Sequence, residues 1–201
     1  GLHTPMGIDR SALQTLAARL LAARRPVIVA DSLGRRPDAV YALVDLAECL
    51  GAPVFDLNAR MNFPNTHPLF CTDPAVLTDA DVLLALDVRD LNGFLVETDS
   101  DARPTGGKKI PATCWVAHIN LEDLETSAWA QNSQKFEPVD LSILADTFTA
   151  VAELAATCRA GLGQAAPESS AAHREARIAE LGARRAAQRT KWLEKARAGA
   201  D

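Results

Sequence analysis

The side chains of this sequence that could do chemistry are two interior histidines, a close aspartate pair, a lysine pair and four scattered cysteines. A histidine serves as general base only within reach of the proton it removes. His67 stands between Thr66 and Pro68, a turn setting in which the imidazole is expected to cap a nearby carbonyl. His118 lies inside an apolar run, where a core histidine is the expectation. Asp79 and Asp81 have the spacing of a metal pair, but they flank a strand start, where carboxylates act as caps. Lys108-Lys109 could meet a phosphate or a CoA-like group, and the Gly- and Pro-rich context makes a solvated loop tip the simpler expectation. Ser11, Ser32 and Ser142 have no His and Asp that the sequence places beside them, so no triad is assigned. Cys49, Cys71, Cys114 and Cys158 form no CxxC pair, which argues against a zinc site or a disulfide framework and for buried thiols.

The elements that must position these groups alternate. Leu13, Leu16 and Leu20 recur at helical spacing after Asp9, a plausible N-cap, with Ile8 placed to staple onto Leu13. Pro26 to Asp31 is a short β-branched run bounded by Pro and by Ser32-Leu33-Gly34, which reads as a buried strand. Pro37 opens a second helix whose Val40, Leu43, Val44, Ala47 and Leu50 share a face, and Gly51 ends it. Residues 53–57, 80–87, 114–120 and 141–144 read as further strands, the longer ones continuously apolar, as strands covered on both faces must be. Residues 147–159 form a helix with Phe148, Val151 and Leu154 inward. Two connections are long: 58–68, extended around Phe63-Pro64 and His67-Pro68, and 89–113, without a clear element. The alternation predicts an α/β fold: a three-layer, doubly wound, mostly parallel sheet of about six strands, with right-handed crossovers.

That core is expected over residues 1–163, followed at 164–201 by a linker and one Ala- and Arg-rich helix with a thin stripe of Ile178, Leu181 and Trp192. The chain of 201 residues has a formal charge of −5, yet residues 170–198 hold eight Arg or Lys against three Glu. Such a basic helix with one aromatic and no loop context for bases reads as a solvated or partner-facing surface, not as a nucleic-acid reader. No apolar run has the roughly 18 residues of a membrane span and the N-terminus lacks signal-peptide character, so no membrane partner and a cytoplasmic location are expected.

In a doubly wound sheet, ligands lie outside the C-terminal strand ends where strand order reverses. Here that places Asp31, Ser32 and Gly34 after the first strand, and Asp87 to Arg89 after the third, as candidate nucleotide contacts. The first turn has one Gly where diphosphate-binding turns have several, and Asp31 would repel phosphate.

The ordered set Arg25-Pro26-Val27-Ile28-Val29-Ala30, Leu46-Ala47-Glu48 with Gly51-Ala52-Pro53-Val54, Phe63-Pro64-Asn65-Thr66-His67-Pro68-Leu69 and Ala80-Asp81-Val82-Leu83-Leu84 resembles one family. It is similar to the central domain of thiamine-diphosphate-dependent enzymes of the acetolactate synthase, benzoylformate decarboxylase and oxalyl-CoA decarboxylase type. The resemblance continues through His118-Ile119-Asn120-Leu121-Glu122 and Asp140 to Asp146, about residues 10–158 in all.

The resemblance implies a longer parent, with thiamine diphosphate and Mg²⁺ held between a first domain bearing a glutamate and a third bearing Gly-Asp-Gly. No Gly-Asp or Asp-Gly pair occurs here, so this chain alone is expected to be catalytically inactive and to bind neither thiamine diphosphate nor Mg²⁺. Relatives hold FAD or ADP on this domain or leave it empty. Arg89 matches an arginine of FAD binders, and Asn120 and Asp146 fall where two aspartates meet the adenosine end. Asn120 keeps an acceptor for a ribose hydroxyl without the charge-assisted bond. The expected partners are the N- and C-terminal domains of the same chain, in a homodimeric or homotetrameric parent, the isolated chain being monomeric or weakly dimeric. The alternatives are a stand-alone FAD- or ADP-binding module and a structural or interaction module; a sirtuin-like module would need the zinc CxxC pair that is missing.

Overall fold

The computed structural model describes residues 7–57, 61–101, 103–121, 136–164 and 171–199. Helix α1 (Arg10–Ala22) opens on Asp9, whose carboxylate accepts the Ser11 and Ala12 N–H groups, and Ile8 packs on the same core. Strand β1 (Pro26–Ala30) is buried along its whole length. Helix α2 (Pro37–Leu50) has Pro at its start, where a missing N–H costs nothing, and ends on Gly51 at φ 61°, a left-handed conformation that a Cβ would disfavour. Strands β2 (Val54–Asp56), β3 (Phe70–Cys71) and β4 (Val82–Leu86) follow.

The stretch 89–113, expected as a loop, is structured. It contains a one-turn helix α3 (Leu91–Leu95) and an antiparallel hairpin of β5 (Val96–Thr98) and β6 (Pro104–Lys108). The hairpin residues are mostly exposed, so no apolar alternation marked them in the sequence. Strands β7 (Trp115–Asn120) and β8 (Leu141–Leu144), helix α4 (Thr147–Gly161) and helix α5 (Ala171–Ala198) complete the chain. Helix α4 ends at Gly161 and a short turn follows over Leu162–Gln164, while most of the expected linker, 165–170, lies outside the described residues.

The main sheet has six strands, all parallel, in the order β3-β2-β1-β4-β7-β8. This is the doubly wound arrangement expected, with the order reversing between β1 and β4. One face, carrying Ile28, Leu84, Ala117 and Ile143, packs against α1, α2 and α4. The other, carrying Val29, Leu83, Ala85 and Val116, is covered by α3, the short turn 74–77 and residues 110–114. Burial pushes the Cys71 thiol up to about 11 and those of Cys114 and Cys158 to about 12, so these side chains behave as small core hydrophobes.

A candidate nucleotide crevice at the sheet edge

Ladder hydrogen bonds continue past the strand ends: Asp31 N–H donates to Leu86 O (3.1 Å), Asp87 N–H to Ile119 O (2.9 Å) and Ala145 N–H to Asn120 O (3.0 Å). The C-terminal ends of β1, β4, β7 and β8 are thereby level, and Asp31, Ser32, Gly34, Arg89, Asn120 and Asp146 all lie along that one edge. Arg89 is exposed beyond β4. Asn120 Nδ2 lies 3.5 Å from His118 Nδ1. Asp146 caps α4, accepting the Thr149 N–H and hydroxyl at 3.0 and 2.9 Å, and sits 4.0 Å from Arg36, which also covers the Phe148 ring.

A diphosphate needs free backbone N–H groups at the β1 turn. Three of those that follow Leu33 have partners within the protein. Gly34 N–H donates to Asn62 Oδ1 (2.8 Å), Arg35 N–H to Ser32 O (3.2 Å) and Arg36 N–H to Leu33 O (3.3 Å). A Cβ at Gly34 would stand 2.2 Å from the Met61 carbonyl oxygen, so the backbone that approaches this glycine closely is that of residues 61–62. Asn62 is fully buried and donates in turn to Asp56 Oδ1 (2.7 Å), while its own N–H reaches Asp56 Oδ2 (2.9 Å).

Arg35 and Thr147, which the sequence did not single out, complete the edge. Arg35 Nη1 and the Thr147 hydroxyl donate to the two oxygens of Asp87, each at 2.6 Å. Asp87 is the one non-Gly residue with positive φ among those described, at 52°, and its side chain is 5% exposed. Burial raises its carboxyl pKa, opposed by the Thr147 hydrogen bond and the Arg35 charge. Asp and Asn tolerate this backbone conformation better than other non-glycine side chains.

The remaining candidates have structural partners. Asp81 accepts the Arg24 and Arg25 N–H groups at 2.6 and 2.9 Å, and Asp79 pairs with Arg25 at 3.0 Å, so the aspartates do act as caps and anchors. His67 is fixed in its turn, but by accepting the Leu69 N–H on Nδ1 (3.1 Å) with Glu48 at 3.2 Å from Nε2, not by capping a carbonyl. Lys108 and Lys109 are not a solvated tip: Lys108 pairs with the buried Glu137 carboxylate, and Lys109 donates to Phe94 O (2.6 Å) and lies over that ring. Burial lowers the Lys109 pKa, and burial holds His118 down at about 4, its Nε2 without a hydrogen-bond partner. Among the described residues no group of three or more His, Cys, Asp or Glu could hold a metal ion, and no helix is long and apolar enough to cross a membrane. The described residues do not fit a Mg²⁺-diphosphate centre.

Residues 13–154 match the family model described as the thiamine pyrophosphate enzyme, central domain. The chain belongs to that family. A sulfoacetaldehyde acetyltransferase of Castellaniella defragrans is 41% identical over 132 residues, 51% of this chain and 22% of that protein. A Mycobacterium smegmatis structure described as a thiamin diphosphate-dependent enzyme superposes with a TM-score of 0.58 at 25% identity, covering 78% of this chain and 29% of that one. Benzoylformate decarboxylase of Polynucleobacter necessarius shares the fold at a TM-score of 0.56 and 21% identity, over 78% of this chain and 28% of its own. This central domain therefore spans under a third of the length of these relatives.

Proposed function

We propose that this chain is the central, scaffolding domain of a thiamine-diphosphate- and Mg²⁺-dependent enzyme of the acetolactate synthase type, which cleaves or forms the C–C bond beside the carbonyl of a 2-keto acid. The observation that carries this reading is the match of residues 13–154 to the central-domain family model. In such a parent the cofactor would supply carbanion stabilisation from a site outside this chain, and the central domain would supply position. The similarity to a protein named sulfoacetaldehyde acetyltransferase extends the candidate reactions to acetyl transfer. In the same reading, residues 1–163 are the central domain, 164–201 lead to the third domain, and the parent is a homodimer or homotetramer. The coding sequence on either side tests this: a preceding glutamate-bearing domain and a following Gly-Asp-Gly are expected, and a stop codon shortly after Asp201 with no preceding domain would refute it.

A second reading, an FAD- or ADP-holding module, is favoured by the convergence of Asp31, Ser32, Gly34, Arg89, Asn120 and Asp146 on one sheet edge. Against it, Asn62 already occupies the Gly34 N–H. Calorimetric titration of the 201-residue chain with FAD, ADP, and thiamine diphosphate plus Mg²⁺ separates the two. No heat with any of them is expected of a scaffold, whereas FAD or ADP binding that Arg89→Ala abolishes would establish the module.

A further inference from the structure

Helix α5 has no buried residue, and an Ala- and Arg-rich helix of this kind has little apolar surface to hold it against a neighbour. Over residues 174–188 this helix of 28 residues, about 42 Å long at the usual helical rise, nonetheless contacts the body of the domain. The contacts follow a 4-3-4-3 spacing through Arg174, Ile178, Leu181, Arg185 and Gln188, one face of the helix. Ile178 and Leu181 pack on the hydrophobic core. The remaining fastenings are polar.

Arg177, one position from that seam, is the firmest of them. Its guanidinium donates to three backbone carbonyls: Gly51 O from Nε (2.8 Å), Arg24 O from Nη1 (2.7 Å) and Leu50 O from Nη2 (2.5 Å). Two of these acceptors are the last carbonyls of α2, which have no partner within that helix and carry its negative dipole end. At the far half, Arg185 donates to Asn65 O (2.6 Å) between the rings of Phe70 and Trp192, and Gln188 bonds Thr72 (3.0 Å), beside the edge strand β3. Glycine in a helix interior lowers its stability, yet Gly182 sits mid-helix where a Cβ would come 3.3 Å from Pro68. Gly51 likewise faces the Arg174 backbone, 3.1 Å from a built Cβ. Both glycines stand where helix and body come closest.

We propose that α5 is a latched strut, with Arg177 as the pin that fixes it to the C-terminal carbonyls of α2 and Arg185 as the second fastening at β3, so that residue 198 is held at a defined place relative to the sheet. A guanidinium suits this role because one planar group serves three acceptors; a lysine has the charge without the fork. The strut stands on these contacts alone, whatever the parent enzyme's reaction.

Hydrogen–deuterium exchange of the full chain tests it. In Arg177→Ala the amides of 171–198 are expected to exchange at least about tenfold faster, with Arg177→Lys between that and the parent protein, while amides of β1 and β4 keep their protection. Arg185→Ala, remote from α2, is expected to loosen 182–198 and spare the first turns, which keeps the test readable if Arg177→Ala does not fold. Arg197→Ala, beyond the fastenings, is expected to change nothing. Unchanged exchange of α5 in both Arg185→Ala and the folded Arg177 variants, or α5 amides unprotected in the parent protein, would overturn the proposal.

Discussion

Arg35 and Asp87 are 52 residues apart in sequence and meet at 2.6 Å, tying the turn after β1 to the turn after β4 across the point where strand order reverses. The pair crosses the edge on which the candidate ligand residues converge, and Asp87 makes it from a left-handed backbone conformation.

Asp87→Asn keeps an acceptor for Thr147 and a side chain that tolerates positive φ, and loses the charge facing Arg35; we expect a cost of about 1 kcal/mol. Asp87→Val adds backbone strain and leaves the buried Thr147 hydroxyl unpaired, for roughly 3 kcal/mol. Urea unfolding of the two variants measures the gap, and equal costs would show that the turn relaxes. Because burial raises the Asp87 pKa, its pH-dependent contribution is present below the unfolded value and lost as pH rises through the folded one, a dependence that Asp87→Asn removes.

Gly34→Ala distinguishes packing from ligand binding. With the added carbon directed at the Met61 carbonyl, we expect a loss of about 2–4 kcal/mol and a lower Tm without any ligand present. A variant of unchanged Tm would mean that residues 61–62 yield and that the glycine serves something other than close approach.

Asn62→Ala removes the acceptor of Gly34 N–H and the Nδ2 donor to Asp56, both in a buried place, and should cost about 2–3 kcal/mol. The same variant bares the Gly34 N–H. If Asn62 is what keeps anions from the turn, phosphate or ADP should bind Asn62→Ala measurably better than the parent protein in a thermal-shift titration; identical affinities would sink that link.

His118 stays neutral in the folded chain, with a pKa of about 4 against an ordinary value of 6.5, because burial penalises its charged form. The unfolded chain takes up this proton first, so stability is full above the unfolded pKa and declines as pH falls toward the folded one. Between pH 7.5 and 5 the loss from this group is about 2 kcal/mol. His118→Leu should flatten that part of the profile in urea titrations at the two pH values, and an unaltered slope would assign the acid sensitivity elsewhere.

The amino-acid sequence by itself determined the parallel sheet, because continuous apolar runs of β-branched residues bounded by Pro, Gly and Asp cannot be satisfied except between two helical or loop layers. It also determined the cap at Asp9 and the left-handed end of α2 at Gly51, both local chemistry within a few residues. The edge to which the candidate residues go followed from topology. Only the tertiary structure decided what that edge contains, since Asn62 on Gly34, Arg35 on Asp87 and Thr147 on Asp87 are contacts between residues 28 to 60 apart that no periodicity records. The same holds for α3, a single turn too short to show a period, for the exposed hairpin within 89–113, which buries too little to leave a pattern, and for α5, whose basic residues read as solvated or partner-facing until three carbonyls from two distant turns gave one of them its place.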